Sequence, residues 1–218
     1  MKKYKYLFAN GCSFVLGRST GTIDTGDNNS YVSMEHRFSA ILAKKLGCLE
    51  VNLGKGNSSN NRIVLSTYEW AKKNSDKCKD TLVVLGTSAF LRNIKEHVNW
   101  PEFVKHSSEI KFNIIEDLEM KKQTITFELL IYYLKSHGCD VIYFNSFDNF
   151  DLSTTQLKFD DDNRSWFLWL QKNHGKGAKG VKQYTHSPDG WYGSDNAHPG
   201  IKSHKKIADD LYEVIKTL

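Results

Sequence analysis

The sequence predicts an α/β protein, a parallel sheet covered by helices on both faces. Three features carry that expectation. Short apolar runs closing on Gly or Asn recur along the chain, stretches of helical apolar spacing separate them, and the runs are apolar throughout rather than alternating with polar residues. Strands of that kind are buried on both faces, and strand–helix alternation joins them by right-handed crossovers. Ligands of such sheets bind beyond the carboxyl ends of the strands, so the residues after each strand matter most.

The elements follow in order. Lys5–Ala9 reads as a buried strand stopped by the turn Asn10-Gly11. Residues 34–47 carry a helical stripe of Phe38, Ile41, Leu42 and Leu46, with Gly47 as the C-terminal cap. Leu49–Leu53 is a second strand ending at Gly54, and a helix from Ser59 to Asn74 turns Ile63, Thr67, Trp70 and Ala71 inward. Thr81–Leu85 is the clearest buried strand, closed by Gly86. Residues 124–137 form an amphipathic helix (Phe127, Leu130, Ile131, Leu134) capped by Gly138, and Asp140–Phe144 is the fourth strand. Ile207, Ala208, Leu211, Val214, Ile215 and Leu218 repeat at helical spacing and close the chain with an amphipathic helix.

Two regions break the rhythm. Residues 87–123 are long for a connection and are expected to hold a short helix near 101–106. Residues 151–194 hold an aromatic helix candidate (Trp166, Phe167, Trp169, Leu170), a Gly/Lys stretch at 175–182 and the segment YTHSPDGWYG. Asp160–Asp162 are expected to start that helix at Asn163, where carboxylates suit the positive helix end; a metal site is the lesser reading.

A chain of 218 residues with 39% hydrophobic and 12% aromatic residues has room for one well-cored domain, residues 1–218, and is not disordered. The net charge of +5 permits an anionic partner without demanding nucleic acid, because the lysines are scattered. No apolar run approaches the roughly 18–20 residues of a membrane span. The start MKKYKYLFANG has a basic front without the apolar stretch of a secretion signal. Cys12, Cys48, Cys78 and Cys139 form no CxxC pair, which speaks against structural zinc and for free thiols in a reducing compartment. A cytoplasmic protein without metal or cofactor is expected.

Chemistry is expected at three places on the strand rim. After strand one, Gly11-Cys12-Ser13 can raise a hydroxyl above the sheet edge, with a turn or cap serine as the alternative. After strand two, GKGNSSNNRI (54–63) offers glycines that admit close backbone approach, with a capped strand-to-helix turn as the alternative. Before the last helix stands Asp195-Asn196-Ala197-His198-Pro199, with Pro199 expected in the first helical turn and His198 at its start. A carboxylate three residues before a histidine can bond Nδ1 and leave Nε2 as a base.

In this order the three blocks resemble the SGNH (GDSL-like) hydrolase superfamily of serine esterases and acyl-hydrolases. The family's Gly-Asp-Ser block stands here as Gly11-Cys12-Ser13, its second-block glycine as Gly56, and its Asp-x-x-His-Pro block as Asp195, His198 and Pro199. The departure is the third block, where Gly-x-Asn-Asp is replaced by Gly86-Thr87-Ser88-Ala89 and the oxyanion asparagine is missing. The resemblance implies a three-layer α/β/α sandwich with a flavodoxin-like parallel sheet. It further implies a Ser13–His198–Asp195 triad acting on a small acyl ester, such as an O-acetyl group on a carbohydrate, with oxyanion donors at the Ser13 and Gly56 backbone N–H groups. Asn57, Thr87 and Ser88 are candidates for a third donor. The rival is a non-catalytic module of the same fold that binds carbohydrate or protein.

Other residues are weighed beside these. Cys12 is expected to pack inward, since neighbours in extended chain point opposite ways. Arg18 and Arg92 follow strands one and three and are candidates for an anionic part of a substrate, against ordinary solvated arginines. Trp191 and Tyr192 can stack on a sugar ring or simply pack. His186 and His204 are expected at the surface. The Gly/Lys stretch lacks the GxxxxGKS pattern of a nucleotide loop.

Overall fold

The computed structural model describes residues 2–17, 34–90, 92, 109–160, 165–174, 190–192 and 198–218. Its strands are β1 (Tyr6–Asn10), β2 (Leu49–Asn52), β3 (Thr81–Thr87), β4 (Asp140–Asn145) and β5 (Thr155–Gln156). Its α-helices are α1 (Ser13–Leu16), α2 (Phe38–Leu46), α3 (Asn60–Lys73), α4 (Glu109–Ser136), α5 (Trp166–His174) and α6 (Ile201–Ile215). The strands pair in parallel in the order β2-β1-β3-β4-β5, the flavodoxin-like order. Four of the five strands are those expected; β5, only two residues long, carries no sequence pattern of its own.

Strand side chains divide between two cores with a period of two. Leu7, Ala9, Leu82, Val84, Ile142 and Phe144 face one side, where Phe38 and Leu42 of α2, Trp166 and Leu170 of α5, and Ile207 and Leu211 of α6 cover them. Phe8, Val83, Leu85, Val141 and Tyr143 face the other, under Ile63 and Ala71 of α3 and Phe127, Leu130, Ile131 and Leu134 of α4. Full burial of each large apolar side chain contributes about 1.5–3 kcal/mol, and this two-sided burial gives the three layers.

Local signals set several boundaries. Ser59 caps α3 by accepting the Arg62 N–H at 3.3 Å. Gly47 ends α2 in the left-handed region at φ 65°. Other expectations are corrected. α4 begins at Glu109, so the helix expected at 124–137 starts 15 residues earlier and absorbs much of the supposed connection. Gly200 is the N-cap of α6, which leaves Pro199 and His198 before the helix rather than in its first turn. Leu218 is 53% exposed, outside the stripe that α6 buries. The short helix near 101–106 and the helix start at Asn163 lie outside the described residues; α5 is described from Trp166. No helix among the described residues is long and apolar enough to cross a membrane.

Candidate active site

Ser13 sits at the carboxyl end of β1 as the first residue of α1, and close packing explains its seat. A Cβ on Gly11 would lie 2.3 Å from Val15 Cγ2 and 2.8 Å from the Gly86 carbonyl oxygen; one on Gly86 would lie 2.5 Å from the same Cγ2. Only glycine at both positions lets Val15 press α1 down onto the ends of β1 and β3. Cys12 is fully buried, as its inward packing requires, whereas Ser13 keeps 3% exposure on the rim.

His198 approaches from the other side. Tyr192 and Pro199 form an antiparallel bridge, and the Gly200 N–H donates to the Trp191 carbonyl at 2.7 Å. A Cβ on Gly200 would meet the Gly190 and Tyr192 carbonyl oxygens at 2.4 Å, so this strap also needs glycine. It holds the imidazole edge-on to Phe14 at 5.8 Å, with Nε2 at 2.9 Å from Ser13 Oγ. That separation lets a neutral imidazole take a proton from the hydroxyl. Asp195 lies outside the described residues, as do Arg18 and His186.

The loop after β2 lies over the exit of β1. Leu53 N–H donates to the Ala9 carbonyl at 2.9 Å and Lys55 N–H to the Gly11 carbonyl at 3.1 Å, which ties the start of this loop to the turn before Ser13, with Gly56 and Asn57 next in the chain. A Cβ on Gly54 would fall 2.5 Å from the Leu16 backbone nitrogen, so Gly54 is the glycine that close approach demands. Asn57 is exposed, in the left-handed region at φ 57°, where Asn is among the better-tolerated residues.

At the end of β3 the third-block departure has a clear arrangement. Thr87, buried, donates its hydroxyl to Asn145 Oδ1 at 3.1 Å. Ser88, also buried, is clasped by Asn60: its N–H donates to Asn60 Oδ1 at 2.7 Å, and Asn60 Nδ2 donates to its carbonyl at 2.9 Å. Ser88 Oγ accepts from Arg92 Nη1 at 2.9 Å.

Three further asparagines each close a strand, and only Asn10 was singled out in the sequence, as part of a turn. Asn10 at the end of β1 donates to Ile63 O at 3.1 Å and accepts the Gly11 N–H at 2.9 Å. Asn52 at the end of β2 donates to Val15 O and Ser39 Oγ and accepts the Gly54 N–H, all within 2.9 Å. Asn145 at the end of β4 clasps Phe150 through both its N–H and its carbonyl. Their side chains serve the orphan backbone groups of the exit loops. An asparagine ending three of the apolar runs was the available signal.

Two further rings have definite surroundings. Trp191 stacks on His174 at 4.0 Å and meets Trp169 edge-on at 5.8 Å, so the packing reading describes the contacts it makes. His204, expected at the surface, is wholly buried; its Nδ1 accepts the Phe38 N–H at 3.1 Å, and its Nε2 has no hydrogen-bond partner among the described residues. Burial foremost, then the charges of His198 and Arg37, pushes its pKa down to about 3. No group of three or more His, Cys, Asp or Glu side chains among the described residues is placed to hold a metal ion.

No family model matches this sequence, and no curated protein matches it. Solved structures match its fold. An acetyl xylan esterase (Est2A) from the rumen bacterium Butyrivibrio proteoclasticus aligns with a TM-score of 0.58 at 14% identity, over 100% of this chain and 65% of that one. A carbohydrate esterase whose active site displays divergent catalytic and non-catalytic binding functions aligns with a TM-score of 0.56 at 10% identity, over 100% and 70%. A member of the lipolytic G-D-S-L family from Veillonella parvula aligns with a TM-score of 0.54 at 13% identity, over 98% and 99%. With its parallel sheet, its strand order and these neighbours, the chain has the α/β fold of the SGNH (GDSL-like) hydrolases.

Proposed function

We propose that the protein is a serine esterase that cleaves a small acyl ester, such as an O-acetyl group on a carbohydrate. The observation that carries this reading is the 2.9 Å separation of Ser13 Oγ and His198 Nε2 on the rim where three strands end. Ser13 Oγ attacks the ester carbonyl as its proton passes to Nε2; collapse of the tetrahedral intermediate expels the alcohol, which takes that proton. Water repeats the cycle on the acyl-enzyme, with Nε2 as base and then as acid. Asp195 is the proposed partner of Nδ1, and the Ser13 and Gly56 backbone N–H groups are the proposed oxyanion donors. The esterases among the structural neighbours support the same chemistry.

One observation favours a second reading, a non-catalytic binding module. The position of the family's oxyanion asparagine is held by Ser88, whose backbone N–H and carbonyl are both taken by Asn60. A fluorophosphonate probe separates the two, because it reacts only with an activated serine. Labelling of the wild type is expected, lost in Ser13→Ala and kept in Cys12→Ala. Turnover of p-nitrophenyl acetate should fall on the order of 10⁵–10⁶-fold in Ser13→Ala. A wild type that neither labels nor turns over is the binding module.

A further inference from the structure

Beside the Ser13–His198 pair lies a short row of rings that ends in a cation. Phe14, whose ring meets the His198 ring edge-on at 5.8 Å, packs on Phe147 with centroids 4.7 Å apart. Phe147 and the adjoining Phe167 are half-buried, at 5.5 Å from each other, so this floor is partly open. The Arg92 guanidinium lies over the Phe147 ring, 4.9 Å from its centroid. One of its N–H groups goes to Ser88 Oγ. Among the described residues Arg92 has no ion pair. Asp148, the nearby carboxylate whose charge Arg92 stabilises, turns instead to the Phe90 N–H at 2.7 Å.

A guanidinium presents five N–H donors in a planar fork that suits a carboxylate, and resting it on an aromatic face leaves its edge to do so. We propose that Arg92 and the Phe147–Phe167 floor form a subsite for a carboxylate on the substrate, so that the preferred ester joins its acyl group to a flat or apolar part ending in that carboxylate. A monoanion fits better than a phosphate dianion, because Asp148 already offsets part of the single positive charge. This inference rests on the esterase reading for its catalytic consequence, but the subsite itself is a matter of binding.

The test compares 4-acetoxybenzoate with its neutral counterpart 4-acetoxybenzamide. The wild type is expected to favour the carboxylate at least ten-fold in kcat/KM, and Arg92→Met to bring the ratio near one. Arg92→Lys, which keeps the charge without the fork, should retain an intermediate preference. In parallel, calorimetric titration with 4-hydroxybenzoate, the product, reads the subsite without catalysis; Arg92→Met should weaken its Kd ten-fold or more. If the two esters fall together in Arg92→Met and product binding is unchanged, the subsite is wrong and Arg92 acts only by supporting Ser88. A preference for 4-acetoxyphenyl phosphate over 4-acetoxybenzoate overturns the carboxylate assignment. If neither ester is hydrolysed and the serine takes no probe while product binding still depends on Arg92, the esterase reading fails and the subsite stands.

Discussion

Three side chains are candidates to complete the proposed oxyanion hole, and their hydrogen bonds separate them. Thr87 spends its hydroxyl proton on Asn145 Oδ1, which also accepts the Phe150 N–H, so moving it would leave a buried acceptor short. Ser88 accepts from Arg92, which has no acceptor to offer in return, and its own hydroxyl proton is left to donate elsewhere. Asn57 carries a carboxamide on an exposed turn, where water competes for it. A donor aimed at the oxyanion matters most in the transition state. Ser88→Ala is therefore expected to lower kcat about 10–100-fold with KM nearly constant. Thr87→Val is expected to act mainly on stability, lowering it by about 0.5–1.5 kcal/mol through the hydrogen bond lost to Asn145, whose carbonyl keeps only the Phe150 N–H. Steady-state kinetics beside denaturant melts distinguish the two, and a kcat loss in Asn57→Ala alone would move the role there.

Elements rather than single residues seat Ser13, the proposed nucleophile. α1 has only four residues and no side-chain cap, so its position comes from contacts with the strands beneath it. Val15 fills the space that Gly11 and Gly86 leave open, while Asn52 holds the Val15 carbonyl and the Gly54 N–H at once. Behind Asn52, Ser39 links it to Glu50, which Arg37 grips through two bonds of 2.8 and 2.7 Å. Gly86→Ala should cost about 1–3 kcal/mol by overpacking and lift Ser13 away from His198. Adding Val15→Ala should recover part of both stability and kcat, and a double-mutant cycle measures that coupling. Asn52→Leu should likewise loosen α1 and the β2 loop together, seen as a kcat loss alongside a fall in Tm. Elements with strong local chemistry were legible in the sequence: the Ser59 cap, the left-handed Gly47 and the apolar runs of β1 and β3. The first half of α4 was not, because the stretch from Glu109 to Lys122 mixes charge and apolar residues without one clear stripe. β5 is too short to show a period, and its place beside β4 is set by tertiary pairing.

Across the whole molecule, the sequence announces what must be local and hides what the layers bring together. Gly11-Cys12-Ser13 and His198-Pro199 could be read as blocks, yet the 2.9 Å between Ser13 and His198 spans 185 residues of chain and exists only because the sheet and the 190–192 strap meet. His204 shows the converse. As a polar residue in the first turns of an amphipathic helix it looked solvent-facing, but α6 turns it inward against Trp166, 5.0 Å away, and Phe38. That burial makes the fold itself sensitive to acid. The unfolded chain protonates His204 near the ordinary histidine value of about 6.5, the folded chain only near 3. Between those values the unfolded state binds more protons, so the contribution of His204 is complete above about pH 6.5 and is lost as pH falls. At pH 5, about one and a half units below the unfolded value, the loss is on the order of 2 kcal/mol. His204→Gln removes the titration and keeps an oxygen able to accept the Phe38 N–H. Its unfolding free energy, measured by denaturant melts, should therefore fall less than the wild type's between about pH 7.5 and pH 5, by roughly that same 2 kcal/mol. Equal falls in the two proteins would mean that the buried imidazole is not what ties this fold to pH.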